Sequence, residues 1–568
     1  MLGRLRTIVL VAAAAMSVAC GAPDSFEGLT GGSKEDASLT APRPMSPLSV
    51  TMVSTSRPRM KWELFGTATG AVVELCKTRD FAAGTVKRFE ADGRELVVPE
   101  DLEPGIWFWR LTARGKGTVG TATSPVWEVL VRGPAARGSS DVPFGSLADI
   151  DGDGHPDLIT GGDVPVSADG KLLGSELLVF TAGPDGALTT DNPQERFIPT
   201  ETDTRDRHPN AVAAGIDFDG DGFPDLAYSS LDTIDPESGL EWFSVWTEGG
   251  GKWDPTGPGT VFQARLPLYP GSSPNVTEAG DVDGDGYGDV LASDWSLAYV
   301  AMGSKAGIRA NMSVGWLTMI AAPGSAARAI RSAFDLDGDG LSDVVFGPAF
   351  PAPPGNASVK SLSTGGSKVP GGESSPGGYD EPRTASVALA TDLRGINAKY
   401  LSFAGSGDVQ ARTFTSGDFD GDGVPDLAAV APMNGATNVC VWFGSRDKGF
   451  VPGPCTAGLP GDAELGASIT AADIEGDGKD EILATVKKEG ASEVRVVHVG
   501  DTTADVAPIG TRGFGTRLTT VWPGRPGKAR WAAIGDDGDT VAVFEAGALS
   551  QAVKRPRFVR ENFGRALR

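Results

Sequence analysis

The chain has 568 residues, a formal net charge of -24, 78 glycines and 40 prolines. Its length calls for several domains or an array of repeats, and the glycine and proline load favours short strands and tight turns over long helices. The acidity excludes a simple nucleic-acid binder, which needs a basic face.

Residues 1–20 read as a targeting segment. Arg4 and Arg6 give the positive start, and Ile8 to Met16 form an apolar run too short to span a bilayer, which takes about 20 residues. The run ends in Ser17-Val18-Ala19-Cys20, which resembles the bacterial lipobox, although Ser17 stands where an aliphatic residue is usual. The resemblance implies lipidation of Cys20 and a membrane anchor at the bacterial outer membrane or cell surface. The other reading is ordinary signal cleavage after Ala19. Either way the protein is exported, and residues 21–41, rich in Gly, Ser, Asp and Thr, suit a flexible tether.

Residues 42–133 form a first domain of short strands: Leu48 to Val53, Arg59 to Leu64, Ala71 to Leu75, Leu96 to Val98, Gly105 to Leu111 and Trp127 to Val131. The Pro58 and Trp62 pair, with the run Leu102-Glu-Pro-Gly-Ile-Trp-Phe-Trp-Arg, resembles fibronectin type III domains. That implies a β-sandwich with Trp62 and Trp109 in its core. Cys76, in an apolar run, is expected as a buried thiol, and Gly133 to Ser140 as a linker.

Beyond the linker one nine-residue motif recurs. Its first copy is Asp149-Ile-Asp151-Gly-Asp153-Gly-His-Pro-Asp157, and the acids recur at Asp217, Asp219, Asp221 and Asp225. They recur again at Asp281, Asp283, Asp285 and Asp289, at Asp335, Asp337, Asp339 and Asp343, and at Asp418, Asp420, Asp422 and Asp426. The sixth copy carries Asp473, Glu475, Asp477 and Glu481. The copies start 68, 64, 54, 83 and 55 residues apart, a period that suits one four-stranded propeller blade with its loops.

Within the motif, positions 1, 3, 5 and 9 are always acids and positions 4 and 6 always glycine. Position 7 is His155, Phe223, Tyr287, Leu341, Val424 or Lys479. Four carboxylates that face one point, glycines that permit the turn and a seventh residue that lends only its carbonyl describe a calcium loop. Without a cation the acids repel one another. Solvated Asp-Gly turns would explain the composition but not the period-two acids. An EF-hand would need a Glu at position 12, where Thr160, Tyr228, Ala292, Phe346, Ala429 and Ala484 stand, and flanking helices. Strand-like runs follow instead, such as Leu158-Ile159, Val290-Leu291 and Leu427 to Val430, so the loops cap β-hairpins. Further apolar runs, such as Leu177 to Phe180, Trp242 to Trp246, Val439 to Phe443 and Val494 to Val497, read as the next strand of each blade. The six copies hold 24 acids, the size of the formal charge excess, so the acidity is concentrated in the loops.

This pattern resembles the FG-GAP or VCBS repeat family, related to the propeller of integrin α subunits. Phe144-Gly145 before the first loop matches the family's Phe-Gly opening. The resemblance covers residues 141–549 and implies an all-β, calcium-stabilised propeller with the 24 acids as ligands. Phe514-Gly515 opens a hidden seventh repeat whose loop has lost its acids, with Arg530 at position 9, so no metal is expected there. The fold class is therefore a seven-bladed β-propeller preceded by a β-sandwich. Export makes disulfides available, and Cys440 and Cys455, in one repeat, are expected to bridge a strand to its loop. Residues 350–384, rich in Pro, Gly and Ser, are expected as a mobile loop, and 550–568 as a tail in which Phe563 to Leu567 either adds a closing strand or frays.

No catalytic constellation is recognisable. The three histidines, His155, His208 and His498, fall in different repeats, with His155 expected to face solvent, and no nucleophile elbow or phosphate loop is present. The expectation is a surface-binding or adhesion module for protein or glycan at one propeller face, with the sandwich as a stalk. A structural envelope role and a polysaccharide-active enzyme or accessory subunit are the alternatives.

Overall fold

The computed structural model describes residues 39–556 except 83–85, 134–135, 142, 166–172, 184, 190–192, 194, 198–210, 232–240, 249–261, 269–274, 294–297, 309–316, 320–328, 336–340, 348–385, 390–398, 403–412, 434–435, 446–448, 457–463, 489, 501–503, 510 and 524–528. The targeting segment with Cys20, the 350–384 loop and the Phe563 to Leu567 segment therefore lie outside the described residues. The described residues are strands and connections, without a helix.

The N-terminal domain has nine strands: β1 (Arg43–Ser46), β2 (Thr51–Val53), β3 (Arg59–Glu63), β4 (Gly70–Cys76), β5 (Lys87–Asp92), β6 (Glu95–Val97), β7 (Gly105–Arg114), β8 (Val119–Thr123) and β9 (Trp127–Val131). One sheet runs β1-β3-β6 and the other β2-β9-β7-β4-β5, with β8 on β7. Between them Trp62, Trp107, Trp109, Leu111, Trp127 and Val129 make a closed core, in which Trp109 and Trp127 meet edge to face at 5.6 Å. Trp62 and Trp109 are core residues, as the sequence implies.

The unbroken apolar runs of β7 and β9 have a second cause. A strand with one wet face alternates, whereas one covered on both faces does not. Trp107, Trp109 and Leu111 face the sandwich core, but Ile106 and Phe108, with Cys76 and Leu130, pack on Phe144 and Leu147 from the next domain. The sandwich is thus covered on its outer face too.

Among the described residues seven antiparallel sheets follow in chain order, the first with three strands and the others with four, each joined in sequence order. The first strands of consecutive sheets from the second to the seventh lie against one another. The first sheet meets the last: Leu158, Leu178 and Phe180 share a core with Val521, Ala532, Ile534, Val541 and Val543. Sheets that pack face to face in succession and close on the starting sheet leave few exposed edges, which is the propeller solution to the edge problem. Polar contacts reinforce the closure. Leu188 N–H donates to Gln551 Oε1 at 3.0 Å, and the Arg530 guanidinium donates to the carbonyl of Gly186.

Three differences from the sequence reading stand out. The Phe144-Gly145 opening does not enter the first sheet; Phe144 exchanges backbone hydrogen bonds of 2.8 and 2.9 Å with Met52 of β2. The strand Ala548–Lys554 completes the seventh sheet, so the propeller runs past residue 549. The Cys440–Cys455 disulfide forms, but it joins two paired strands, Ala436–Ser445 and Gly449–Cys455, and not a strand and its loop. Closing a 15-residue span constrains the unfolded chain, so replacing both cysteines with alanine is expected to cost about 3 kcal/mol in denaturant titration.

Candidate metal centres

The second to sixth acidic loops each join the first and second strands of their sheet, while the first leads into Leu158–Pro165, the first strand of the three-stranded sheet. Positions 1 and 9 stand at the hairpin's base: Ile216 pairs with Asp225, Gly280 with Asp289, Phe334 with Asp343, Gly417 with Asp426 and Ala472 with Glu481. Position 2 anchors the loop, with Ile150, Phe218, Val282, Phe419 and Ile474 all buried. The glycines at positions 4 and 6 have φ between 68 and 99° in the first, second, third, fifth and sixth loops, a region other residues enter at a cost.

The acids are wired to the backbone in the same way in each of these loops. Position 1 accepts from the amide at position 6: Asp149 from Gly154 at 2.7 Å, Asp217 from Gly222 at 2.9 Å, Asp281 from Gly286 at 2.8 Å, Asp418 from Gly423 at 3.0 Å and Asp473 from Gly478 at 3.1 Å. Position 9 accepts from the amide of position 2, as Asp157 does from Ile150 at 2.8 Å and Glu481 from Ile474 at 2.9 Å. Its other oxygen reaches across the sheet, to Ala182 N from Asp157 and to Gly444 N from Asp426. Positions 3 and 5 accept from amides two residues on, as Asp151 does from Asp153 and Asp221 from Phe223. These bonds pin the carboxylates, so the loop geometry is set by the chain itself.

The result is convergence. Carboxylate oxygens of Asp149, Asp151 and Asp157 lie within 4.8 Å of one another, as do those of Asp217, Asp219 and Asp225, of Asp281, Asp283 and Asp285, and of Asp418, Asp420 and Asp426. In the fourth loop Asp337 and Asp339 lie outside the described residues, while Asp343 is buried. The sixth loop converges differently. Glu475 and Glu481 meet His498 of the third strand, Nδ1 standing 3.7 Å from Glu475. Sequence reading passed over His498 as a partner of this loop, because it lies on the third strand of the sheet, outside the acidic motif. The longer arms of Glu475 and Glu481 are the signal that this site is built differently.

These acids are not a solvated fringe. Asp149, Asp217, Asp289 and Asp473 have no exposed surface, and Asp157, Asp225, Asp418, Asp426 and Glu481 are also buried. Burial pushes Asp157 up to about 9, Asp281 to about 8 and Asp149, Asp285 and Asp418 to about 7, with neighbouring acids adding to the rise. Asp217, Asp225, Asp289 and Asp426 are driven up by burial as well. Asp418 Oδ1 is buried with no hydrogen-bond partner. Pinned, converging, buried carboxylates with a spare lone pair fit a hard cation that takes oxygen ligands.

Position 7 is not indifferent. Four such side chains lie over the position-4 glycine of the preceding loop: Phe223 over Gly152, Tyr287 over Gly220, Leu341 over Gly284 and Lys479 over Gly421. Where position 8 is not proline, its amide donates to the position-1 carbonyl of the preceding loop, from Gly288 to Asp217, Ser342 to Asp281 and Asp480 to Asp418, all at 2.8 Å. The loops form a chain around one end of the ring. His155, at position 7 of the first loop, is half-buried.

The sandwich sits on these loops. Arg79 donates to the carbonyls of Gly152 at 3.2 Å and Gly222 at 2.8 Å and stacks 3.8 Å from the Phe223 ring. Arg43 bonds the Asp285 carbonyl and lies over Tyr287. Ser54 and Trp127 reach Gly423 and Gly220. The linker crosses the fifth and sixth loops, with Ala136 N–H on Gly478 O at 3.2 Å and Arg137 3.7 Å from Asp420. Arginines on one side meet acidic loops on the other.

Glycine at position 6 therefore serves two ends. A Cβ on Gly222 would stand 1.9 Å from Val126 O, whereas one on Gly476 meets nothing within 4 Å. Both have positive φ. Gly476→Ala is expected to cost about 1 kcal/mol from φ alone, and Gly222→Ala about 3 kcal/mol or more because the sandwich must also move. Equal losses in chemical denaturation would contradict the docked arrangement.

Comparison with known proteins agrees with this local geometry. The FG-GAP-like repeat family matches residues 403–484, which hold the fifth and sixth loops, and the FG-GAP repeat matches residues 208–230, which hold the second. No curated protein matches the chain. Among solved structures, a protein from Lactobacillus plantarum is 12% identical over 72% of this chain and 98% of its own, with a TM-score of 0.39. The rhamnogalacturonan lyase of Bacillus licheniformis is 14% identical over 91% of this chain and 70% of its own, with a TM-score of 0.29.

Proposed function

From a chain that carries FG-GAP repeats, we propose a calcium-binding β-propeller of seven blades that acts as an exported, lipid-anchored binding module for protein or glycan. The observation that carries the reading is the convergence of pinned, buried carboxylates in successive loops. The ligands are Asp149, Asp151 and Asp157 in the first loop, the equivalent acids of the second and fifth, Asp281, Asp283 and Asp285 in the third, and the carboxylates of Glu475 and Glu481 in the sixth. Asp337 and Asp339 complete the fourth. Calcium supplies charge compensation and rigidity, not chemistry, because its ligands are already committed and hold no proton poised for transfer.

The sandwich, of fibronectin type III type, covers the acidic end of the ring, so ligand binding belongs to the opposite end, where second strands hand over to third strands. The anchor at Cys20 ties the assembly to the membrane. Screening the purified chain against glycan arrays and surface extracts, with calcium and with chelator, tests the reading. Saturable, calcium-dependent binding without turnover is the expected result. Cleavage of a polysaccharide would replace this reading with an enzymatic one. A Cys20→Ser chain that still partitions into detergent would refute the lipid anchor.

A further inference from the structure

The first acidic loop has a neighbour that the others do not share. Glu128 lies on β9, on the face that carries Leu130 and not on the face of Trp127 and Val129, and so points from the sandwich toward the propeller. It has no exposed surface, and neither carboxylate oxygen has a hydrogen-bond partner. Its electrostatic neighbours are Asp149, within hydrogen-bonding reach, and Asp153 of the first loop. Arg79 stands 3.6 Å away, but its guanidinium also serves the carbonyls of Val126, Gly152 and Gly222.

Two carboxylates that face each other in a dry interface need something positive between them. Asp149 already accepts from Asp153 N and Gly154 N, which hold it in place as an acceptor. Arg79 offers one charge against Glu128 and the four acids of the loop. Around these groups the surface is apolar, with Phe108 and Ile106 beside Gly154.

We propose that Glu128 is a ligand, contributed by the sandwich, to the cation held by the first loop, so that this one ion joins the two domains. The inference rests on the reading of the loops as calcium sites and goes beyond it in two respects. It adds a ligand from outside the repeat, and it makes docking of the sandwich depend on calcium. When calcium leaves, Glu128 and Asp149 repel, and the contact between β9 and the first loop loosens. A shared proton in place of the ion is the competing arrangement, and it predicts the opposite response.

The test compares the full chain with Glu128→Gln by calcium calorimetry and by hydrogen exchange of segments 126–131 and 149–157. In the wild type, calcium is expected to slow exchange in both segments. In Glu128→Gln one calcium site is expected to weaken on the order of tenfold or more, with segment 126–131 no longer calcium-sensitive. Unchanged calcium binding by Glu128→Gln, with a raised melting temperature in chelator, would favour the shared proton and overturn the proposal. Should the variant fail to fold, wild-type exchange decides alone. If the second and fifth loops respond to calcium but segment 126–131 does not, this inference fails while the calcium reading stands. If no loop responds, both fall.

Discussion

Chelating calcium is expected to lower the melting temperature of the chain by on the order of 10–20 °C. The physical basis is linkage: an ion that binds only the folded loop stabilises it by about 2.7 kcal/mol per site at a hundredfold excess over its dissociation constant. The second loop shows why the effect is large. Asp217 and Asp225 are buried, and Asp219 is pushed up to about 6 by burial and by Asp221. Folding without a cation forces these groups either to take up protons or to stay charged in contact. Because the loops are linked by amide-to-carbonyl bonds from Gly288 to Asp217 and from Asp480 to Asp418, loosening one loop weakens the next. The check is a calorimetric melt with calcium, with magnesium and with chelator. Asp217→Asn with Asp219→Asn should remove one site's share of the calcium-dependent shift. Identical melts in calcium and chelator would reduce the acids to turn-formers.

How much of this could be read in the residues differs from place to place. The acidic loops and the strands that follow them were legible because each blade repeats the same chemistry, so the copies can be compared with one another. The second and third strands were legible because they are continuously apolar, as in Leu427 to Val430 and Val439 to Phe443, which are buried on both faces between neighbouring sheets. The first strands were not. Ala211–Ile216, Asn275–Gly280 and Phe414–Gly417 are short and set small or polar residues between their few apolar ones, so hydrophobic patterning misses them. The outermost strands escaped for the opposite reason. Ala548–Lys554 exposes more than half of Leu549 and pairs on one edge only, so it carries little pattern. Position 7 looked indifferent because it varies, yet Phe223, Tyr287, Leu341 and Lys479 each fill the space over a glycine in the previous loop. Variation there reflects the partner, not the absence of one. The docking of the sandwich was half visible. The unbroken run Ile106-Trp-Phe-Trp109 signals two covered faces, but nothing in one sequence says that the second cover is the propeller.

Arg132 offers the sharpest mutational test of that docking. It leaves the end of β9 and forms a two-pronged ion pair with Asp480, one prong at 3.0 Å, both side chains only 4% exposed. Asp480 is position 8 of the sixth loop, where the other copies carry Pro156, Pro224, Gly288, Ser342 and Pro425. Its Oδ2 also accepts from Asp418 N at 2.8 Å, so one carboxylate ties the sandwich, the fifth loop and the sixth loop together. Removing the cation strands a buried carboxylate beside further acids. Arg132→Ala is therefore expected to cost about 3–5 kcal/mol. Adding Asp480→Asn removes the stranded charge while keeping an oxygen for the Asp418 amide, and the double variant is expected to regain much of that loss. Arg132→Lys should fall between, since an ammonium cannot reproduce the paired geometry of the guanidinium. Denaturant titrations of the wild type, Arg132→Ala, Asp480→Asn and the double variant form a double-mutant cycle, and the pairing energy it returns decides the matter. An Arg132→Ala chain as stable as the double variant would mean that Asp480 is solvated in solution and that the sandwich does not rest on the sixth loop.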